Sequence, residues 1–266
     1  MIQIRGLSKA YGDKKVVENI SLDIEKGKLM SLIGPNGAGK STVISMVTRL
    51  MDKNSGDVLL EGENLFTKPD NELAKKISIL KQSNNLDLNI TVRELISFGR
   101  YPYCKGRLRP EDDEKIDEAI KYMGLYEFED RMIDELSGGQ RQRAYIAMTI
   151  AQDTEYIFLD EPLNNLDMKH SVQIMQILRR LCRERNKTII LVIHDINFAS
   201  CYSDNIAALK NGKLAISGTK EEVIQENILR EIYEMDIQIQ NICGHQICIY
   251  FDGEEAESKT AVFGAV

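Results

Sequence analysis

The sequence predicts an α/β fold built on a mostly parallel sheet, and three observations carry the prediction. An apolar strand at 28–33 runs into a glycine-rich turn and then a helical pattern. Two later apolar runs, 156–159 and 188–193, each end in a polar pair, Asp160-Glu161 and His194-Asp195. Helical patterns separate the strands, and strands alternating with helices imply parallel pairing. At about 150 residues per domain, 266 residues correspond to about 1.8 domains.

Taken in order, Ile2, Ile4 and Leu7 mark a first strand ending at the Tyr11-Gly12 turn. A period near two over 16–24 marks a second. After the glycine stretch, Val43, Ile44, Met46, Val47 and Leu50 recur at helical spacing. Residues 84–136 read as mainly helical with no long apolar strand. Thr91-Val92-Arg93-Glu94 has capping-box spacing. Pro110 opens a second helix, with Ile116, Ala119, Ile120 and Met123 on one stripe and Gly124 as its stop. The strand at 156–159 is followed by a helix with Ile174, Ile177, Leu178 and Leu181 on one face. Strands at 188–193 and 206–209 come next, the latter turned by Asn211-Gly212 into 213–216. The tail reads as a helix, a hairpin around 237–249 and a charged stretch at 254–259. The expected division is an α/β core at 1–82 and 153–220, a helical insertion at 83–152, and a tail at 221–266.

Composition narrows the function. Hydrophobic residues make up 43% and charged residues 28%, which excludes disorder over the whole chain. The longest strongly apolar run, 189–193, is far short of the roughly 20 residues of a membrane span. The first residues have no charged-then-apolar leader pattern, so a cytoplasmic location is expected. The formal charge of −7 argues against a general nucleic-acid or membrane-surface binder. Five scattered cysteines suit reduced thiols. Cys243, His245 and Cys248 form the one close group, open to a metal, a redox or a plain hairpin reading.

The glycine stretch is Gly34-Pro35-Asn36-Gly37-Ala38-Gly39-Lys40-Ser41-Thr42, a G-x-x-x-x-G-K-[ST] match. One chance match in a chain this long has a probability of about 1%. Glycines let backbone N–H groups wrap a triphosphate, and the next helix points its positive end at the anion. Lys40 is placed for the β- and γ-phosphates, Ser41 for Mg²⁺ and Thr42 for the α-phosphate region. Asp160, at the ligand-binding edge of a parallel sheet, is a candidate Mg²⁺ holder, and Glu161 a candidate general base. His194 occupies the same edge and is a candidate γ-phosphate contact. His170 reads as a helix-surface residue. Leu136-Ser137-Gly138-Gly139-Gln140 precedes a helix, with Ser137 and Gln140 at capping-box spacing. Its two glycines and hydroxyl also make a second phosphate-binding surface.

With these motifs in this order, residues 1–220 resemble the ATPase subunit of an ATP-binding cassette (ABC) transporter. The resemblance implies the ABC ATPase fold: a P-loop NTPase core with a mostly parallel sheet, an antiparallel β subdomain and an inserted helical subdomain. It implies ATP hydrolysis with ATP and Mg²⁺ as cofactors. Tyr11 matches the aromatic that stacks on adenine, although a turn tyrosine packed on the sheet is also open. Gln82 resembles the glutamine that senses Mg²⁺ and the attacking water. Asn164-Asn165-Leu166-Asp167 stands where the family commonly has Ser-Ala-Leu-Asp, so only Leu166 and Asp167 match. A head-to-tail dimer is implied, with Ser137, Gly138 and Gly139 of one copy over the γ-phosphate held by Lys40 of the other. Membrane permease subunits, and through them an extracytoplasmic binding protein, are the implied partners. The implied location is the cytoplasmic side of the cell membrane, peripherally bound.

The run from Thr91 to Tyr103 resembles importers for iron–siderophore, haem and cobalamin cargo. The stretches following Glu161 and His194 resemble the ferric-siderophore subgroup. Haem or cobalamin import, a soluble non-transport ABC ATPase and a non-enzymatic nucleotide-binding regulator remain alternatives. Arg93, Arg100, Lys105, Arg107 and Arg109 form a basic stretch, read either as a solvated face or as a permease contact. Tyr101, Pro102 and Tyr103 are read either as part of that contact or as core.

Overall fold

The chain alternates short strands and helices, and a computed structural model describes residues 1–81, 89–164 and 166–251. It opens with β1 (Ile2–Tyr11), β2 (Lys14–Ile24) and β3 (Leu29–Ile33), then α1 (Lys40–Val47). Next come β4 (Ser55–Leu60), β5 (Glu63–Asn64), α2 (Asp70–Leu73) and β6 (Ile77–Leu80). A helical block follows: α3 (Val92–Ser97), α4 (Tyr101–Cys104), α5 (Pro110–Met123) and α6 (Gly138–Ala151). The α/β alternation resumes with β7 (Tyr156–Asp160), α7 (Met168–Arg185), β8 (Thr188–Val192), α8 (Ile196–Tyr202), β9 (Asn205–Lys210) and β10 (Lys213–Thr219). The chain closes with α9 (Lys220–Val223), α10 (Glu226–Tyr233), β11 (Gln238–Ile242) and β12 (His245–Ile249).

The central sheet has six strands in the order β10-β9-β3-β8-β7-β6, parallel except for β10 against β9. Its inner strands β3, β7 and β8 are buried on both faces, so their alternation builds two cores. Leu29 and Ile33 of β3 join Ile189 and Leu191 of β8 in a core with α6, α7 and the helical block. Met30 and Leu32, with Ile190 and Val192, face α1 and the antiparallel sheet β2-β1-β4-β5. In β1, Ile2, Ile4 and Leu7 are all buried although the last step is three residues. A bulge between Ile4 and Leu7, at left-handed Gly6 (φ 61°), restores the side-chain phase.

The helical block is closed by its caps. Thr91 accepts from Glu94 N while Glu94 accepts from Thr91 N, the expected capping box. Pro110 starts α5, and Gly124 (φ 62°) ends it. The basic stretch does not form one surface. Arg100 is buried, its Nε 2.9 Å from Asp112 and its Nη1 donating to Ala151 O at 2.8 Å. Arg93 pairs with Asp117 at 2.7 Å and Glu129 at 3.0 Å. Two of the five cations therefore bind the block internally, a role that neither reading of the stretch contains. Removing one partner of a buried pair such as Arg100–Asp112 costs about 3–5 kcal/mol.

In the tail, β11 and β12 pair antiparallel around a Cys243-Gly244 turn with φ of 51° and 79°. Positive φ at both positions matches the twist of a two-residue hairpin. Cys243 is exposed and Cys248 buried, and among the described residues no group of three or more His, Cys, Asp or Glu is placed to hold a metal. No helix among the described residues is long and apolar enough to cross a membrane.

Candidate active site

Backbone geometry selects the glycines of the P-loop. Gly34 leaves β3 at φ 134°, where a Cβ would lie 2.0 Å from Leu209 O. Gly39 is the N-cap of α1 at φ 98°, where a Cβ would lie 2.9 Å from Val16 O. As glycine, this N-cap offers no side-chain acceptor to the first turn of α1, and that turn carries no acidic residue. Its N–H groups and dipole therefore suit an anion. Residues 36–42 line a cavity of about 160 Å³ together with Val16, Glu161 and His194. Lys40 is buried, and its Nζ donates to Gly34 O at 2.7 Å and Pro35 O at 3.0 Å. Burial pushes the Lys40 ammonium below its ordinary value, while the carboxylates of Glu161 and Asp160 pull it back up.

The acidic pair stands beside the P-loop, with Glu161 lining the cavity. Asp160 ends β7, and its Oδ1 accepts from Ser41 Oγ at 2.8 Å. Burial raises its carboxyl above the usual range; the Ser41 hydrogen bond opposes this and the Glu161 charge adds to it. Glu161 leaves the strand at φ 53°, a left-handed conformation unusual for a residue with a Cβ. One carboxylate oxygen lies 2.7 Å from His194 Nε2, and the other accepts from Asn164 Nδ2. Asn164, where the sequence departs from the common family pattern, thus orients Glu161. Gln82 and Asn165 lie outside the described residues.

Ser137, Gly138, Gly139 and Gln140 stand apart from this cavity. Ser137 caps α6: Ser137 Oγ accepts from Gln140 N at 3.3 Å, and Ser137 N donates to Gln140 Oε1 at 2.9 Å. Asp167 caps α7, accepting from His170 N at 2.8 Å, and its Oδ1 also lies 2.8 Å from His170 Nδ1. The His170 ring packs on Gly139, where an added Cβ would come within 3.2 Å of it. His170 is therefore more than a helix-surface residue, since it joins the Asp167 loop to the glycine signature. Its position three residues after an N-cap Asp was the available signal. Tyr11 is 55% exposed rather than packed on the sheet, with Lys9 Nζ 5.3 Å from its ring centroid.

Residues 17–164 match the ABC transporter family. The chain belongs to that family. It is an ATP-binding, ATP-hydrolysing cassette, and its α/β core carries the fold its motifs imply. This cassette is 55% identical over 251 residues to the petrobactin import ATP-binding protein YclP of Bacillus subtilis (strain 168), covering 94% of this chain and 100% of that one. It is 48% identical over 239 residues to the petrobactin import ATP-binding protein FatE of Bacillus anthracis, covering 90% and 96%. Among solved structures, the dimeric post-hydrolysis state of the ATP-binding cassette MJ0796, bound to ADP and Pi, is 31% identical. That structure has a TM-score of 0.74 and covers 83% of this chain and 99% of its own.

Proposed function

We propose that two copies of this cassette close head to tail over two ATP molecules and thereby drive import of a ferric siderophore through a membrane permease. The observation that carries the reading is the separation of two phosphate-binding surfaces. The residues lining the P-loop cavity include Glu161 and His194 but none of the signature. A second copy supplies Ser137, Gly138 and Gly139 across a two-fold interface.

Within each site, Lys40 holds the β- and γ-phosphates, and Thr42 and the loop N–H groups hold the remainder. Tyr11 stacks on adenine, and Asp167 orders the loop facing the partner. Ser41 Oγ and Asp160 Oδ1 are hard oxygen donors only 2.8 Å apart, a fit for Mg²⁺. The ion supplies charge neutralisation of the phosphates when bound, with Gln82 as a further contact. Glu161, held by His194 and Asn164, orients the attacking water and takes its proton. His194 also contacts the γ-phosphate.

Phe98 and Tyr101, 50% and 62% exposed on the helical block, offer apolar area for the permease, since aromatics are favoured at interfaces. The importer names of the relatives support a membrane-associated location on the cytoplasmic side and a petrobactin-like cargo. The test is uptake of radiolabelled iron by cells lacking the native cassette and complemented with this one. Restored uptake from ferric petrobactin supports the reading. Restoration of haem or cobalamin uptake instead would redirect it.

A further inference from the structure

We infer that the C-terminal unit, residues 220–251, is a positioning element of the ATP site that holds two of its loops in register with each other. The inference rests on the roles proposed for Lys40 and His194.

The first contact is with the P-loop. Gly34 is wedged against Leu209 O, so its N–H cannot turn away. That N–H donates to Tyr233 Oη at 3.1 Å, from the last residue of α10. Burial pushes the Tyr233 phenol up to about 12, so it stays neutral and its oxygen remains a weak, fixed acceptor. The end of α10 is held in turn by β9. Lys210 Nζ pairs with Glu234 at 2.7 Å and donates to Glu231 O.

The second contact is with the His194 loop. His194 immediately precedes α8, whose N-cap Asp195 accepts from Asn197 N at 2.8 Å and Phe198 N at 3.2 Å. The Asn197 amide reaches the other way and pairs with the β12 backbone as a neighbouring strand would. Its Nδ2 donates to Cys248 O at 3.1 Å, and its Oδ1 accepts from Cys248 N at 2.7 Å. One turn on, Ser200 Oγ donates to Gln246 O at 2.6 Å. The first turn of α8 is thereby fixed to the hairpin.

The unit is tied together internally. Ile239 N donates to Glu226 Oε1 at 2.9 Å, and Gln246 Nε2 donates to Ile224 O at 3.3 Å. One element thus touches the ends of β3 and β8, the two neighbouring strands that deliver Lys40 and His194. Tyr233, Asn197 and Ser200 are positioning residues in this scheme. They fix the loops and leave the reacting atoms to others.

The experiment measures turnover, ATP Kd with a fluorescent analogue, and the thermal midpoint for Tyr233→Phe, Asn197→Ala, Asn197→Asp and His194→Ala in the full chain. Tyr233→Phe leaves the Gly34 N–H without its acceptor and should raise the ATP Kd about 5-fold. Asn197→Ala should lower kcat about 10-fold at unchanged ATP Kd. Asn197→Asp keeps an acceptor for Cys248 N and should recover part of that loss. Should Asn197→Ala not fold, Ser200→Ala is expected to lower kcat in the same direction by a smaller factor. A merely structural role would lower the thermal midpoint and leave kcat and Kd of the folded molecules at wild-type values, which overturns the inference. Inactive His194→Ala beside wild-type-like Asn197→Ala also overturns it, and leaves the role of His194 standing. Wild-type turnover in His194→Ala would instead remove the reading on which the inference rests.

Discussion

The two phosphate-binding surfaces of this cassette differ in how they are held. The P-loop surface sits at the end of the buried parallel strands β3, β7 and β8, and its polar groups are engaged with partners in the protein. Lys40 donates to loop carbonyls, Ser41 to Asp160, and Glu161 pairs with His194. The signature surface is the exposed start of a buried helix, where the Ser137 and Gln140 side chains each bond the other residue's backbone N–H. Both use glycines and a helix start, and the first gathers Lys40, Glu161 and His194 around one cavity. On the proposed reading the two surfaces do different work: one binds and cleaves ATP, and the other completes the site of a second copy.

The sharpest way to break this comparison is to change one surface at a time. Glu161→Gln should lower ATP hydrolysis about 10²–10⁴-fold, the span of a lost general base, while nucleotide binding persists. A phosphate-release assay checks the first and an ATP titration the second. Ser137→Arg should lower hydrolysis about 10²-fold by removing a donor to the partner's γ-phosphate, with ATP affinity of the single chain unchanged. A Ser137→Arg chain that bound ATP poorly would mean the signature contributes to its own site. Lys40→Ala should act at binding, weakening ATP by about 30–100-fold, the value of a charge-assisted contact. Isothermal titration measures it.

The smallest effect concerns stability. Burial raises the Asp160 carboxyl above its ordinary value, so the native chain binds that proton more tightly than the unfolded chain does. The stability this contributes is present below the unfolded carboxyl value and is lost as pH rises through the raised native one. At neutral pH the ionised Asp160 therefore costs stability. Asp160→Asn, in which Ser41 still finds an acceptor, should raise the nucleotide-free thermal midpoint by a few degrees while abolishing Mg²⁺-dependent hydrolysis. The gain should shrink as the pH is lowered, and a midpoint that fell at neutral pH would contradict it.

What was legible in the sequence was whatever depends on neighbours along the chain. The P-loop glycines, the Thr91 and Ser137 capping boxes, the Gly124 stop and the hairpin at Cys243-Gly244 are local requirements of backbone geometry. The strands of the parallel sheet were legible because two-sided burial demands continuous apolar runs. Contacts closed by the fold were not legible. Arg100 stood in an apparently uniform basic stretch, and nothing local marked it for Asp112 and Ala151 O. Asn164 could not be paired with Glu161 until the left-handed turn at Glu161 brought the two together. Tyr233 is 199 residues from Gly34, and no periodicity reports such a pair.

The central claim is that each ATP site is shared between two copies, and the most direct measurement is the mass of Glu161→Gln in solution by light scattering, with and without ATP. The mass should double when ATP is added, and the doubling should vanish when Ser137→Arg is combined with Glu161→Gln. A Glu161→Gln chain that remained a single copy at saturating ATP, or a dimer indifferent to Ser137→Arg, would contradict it.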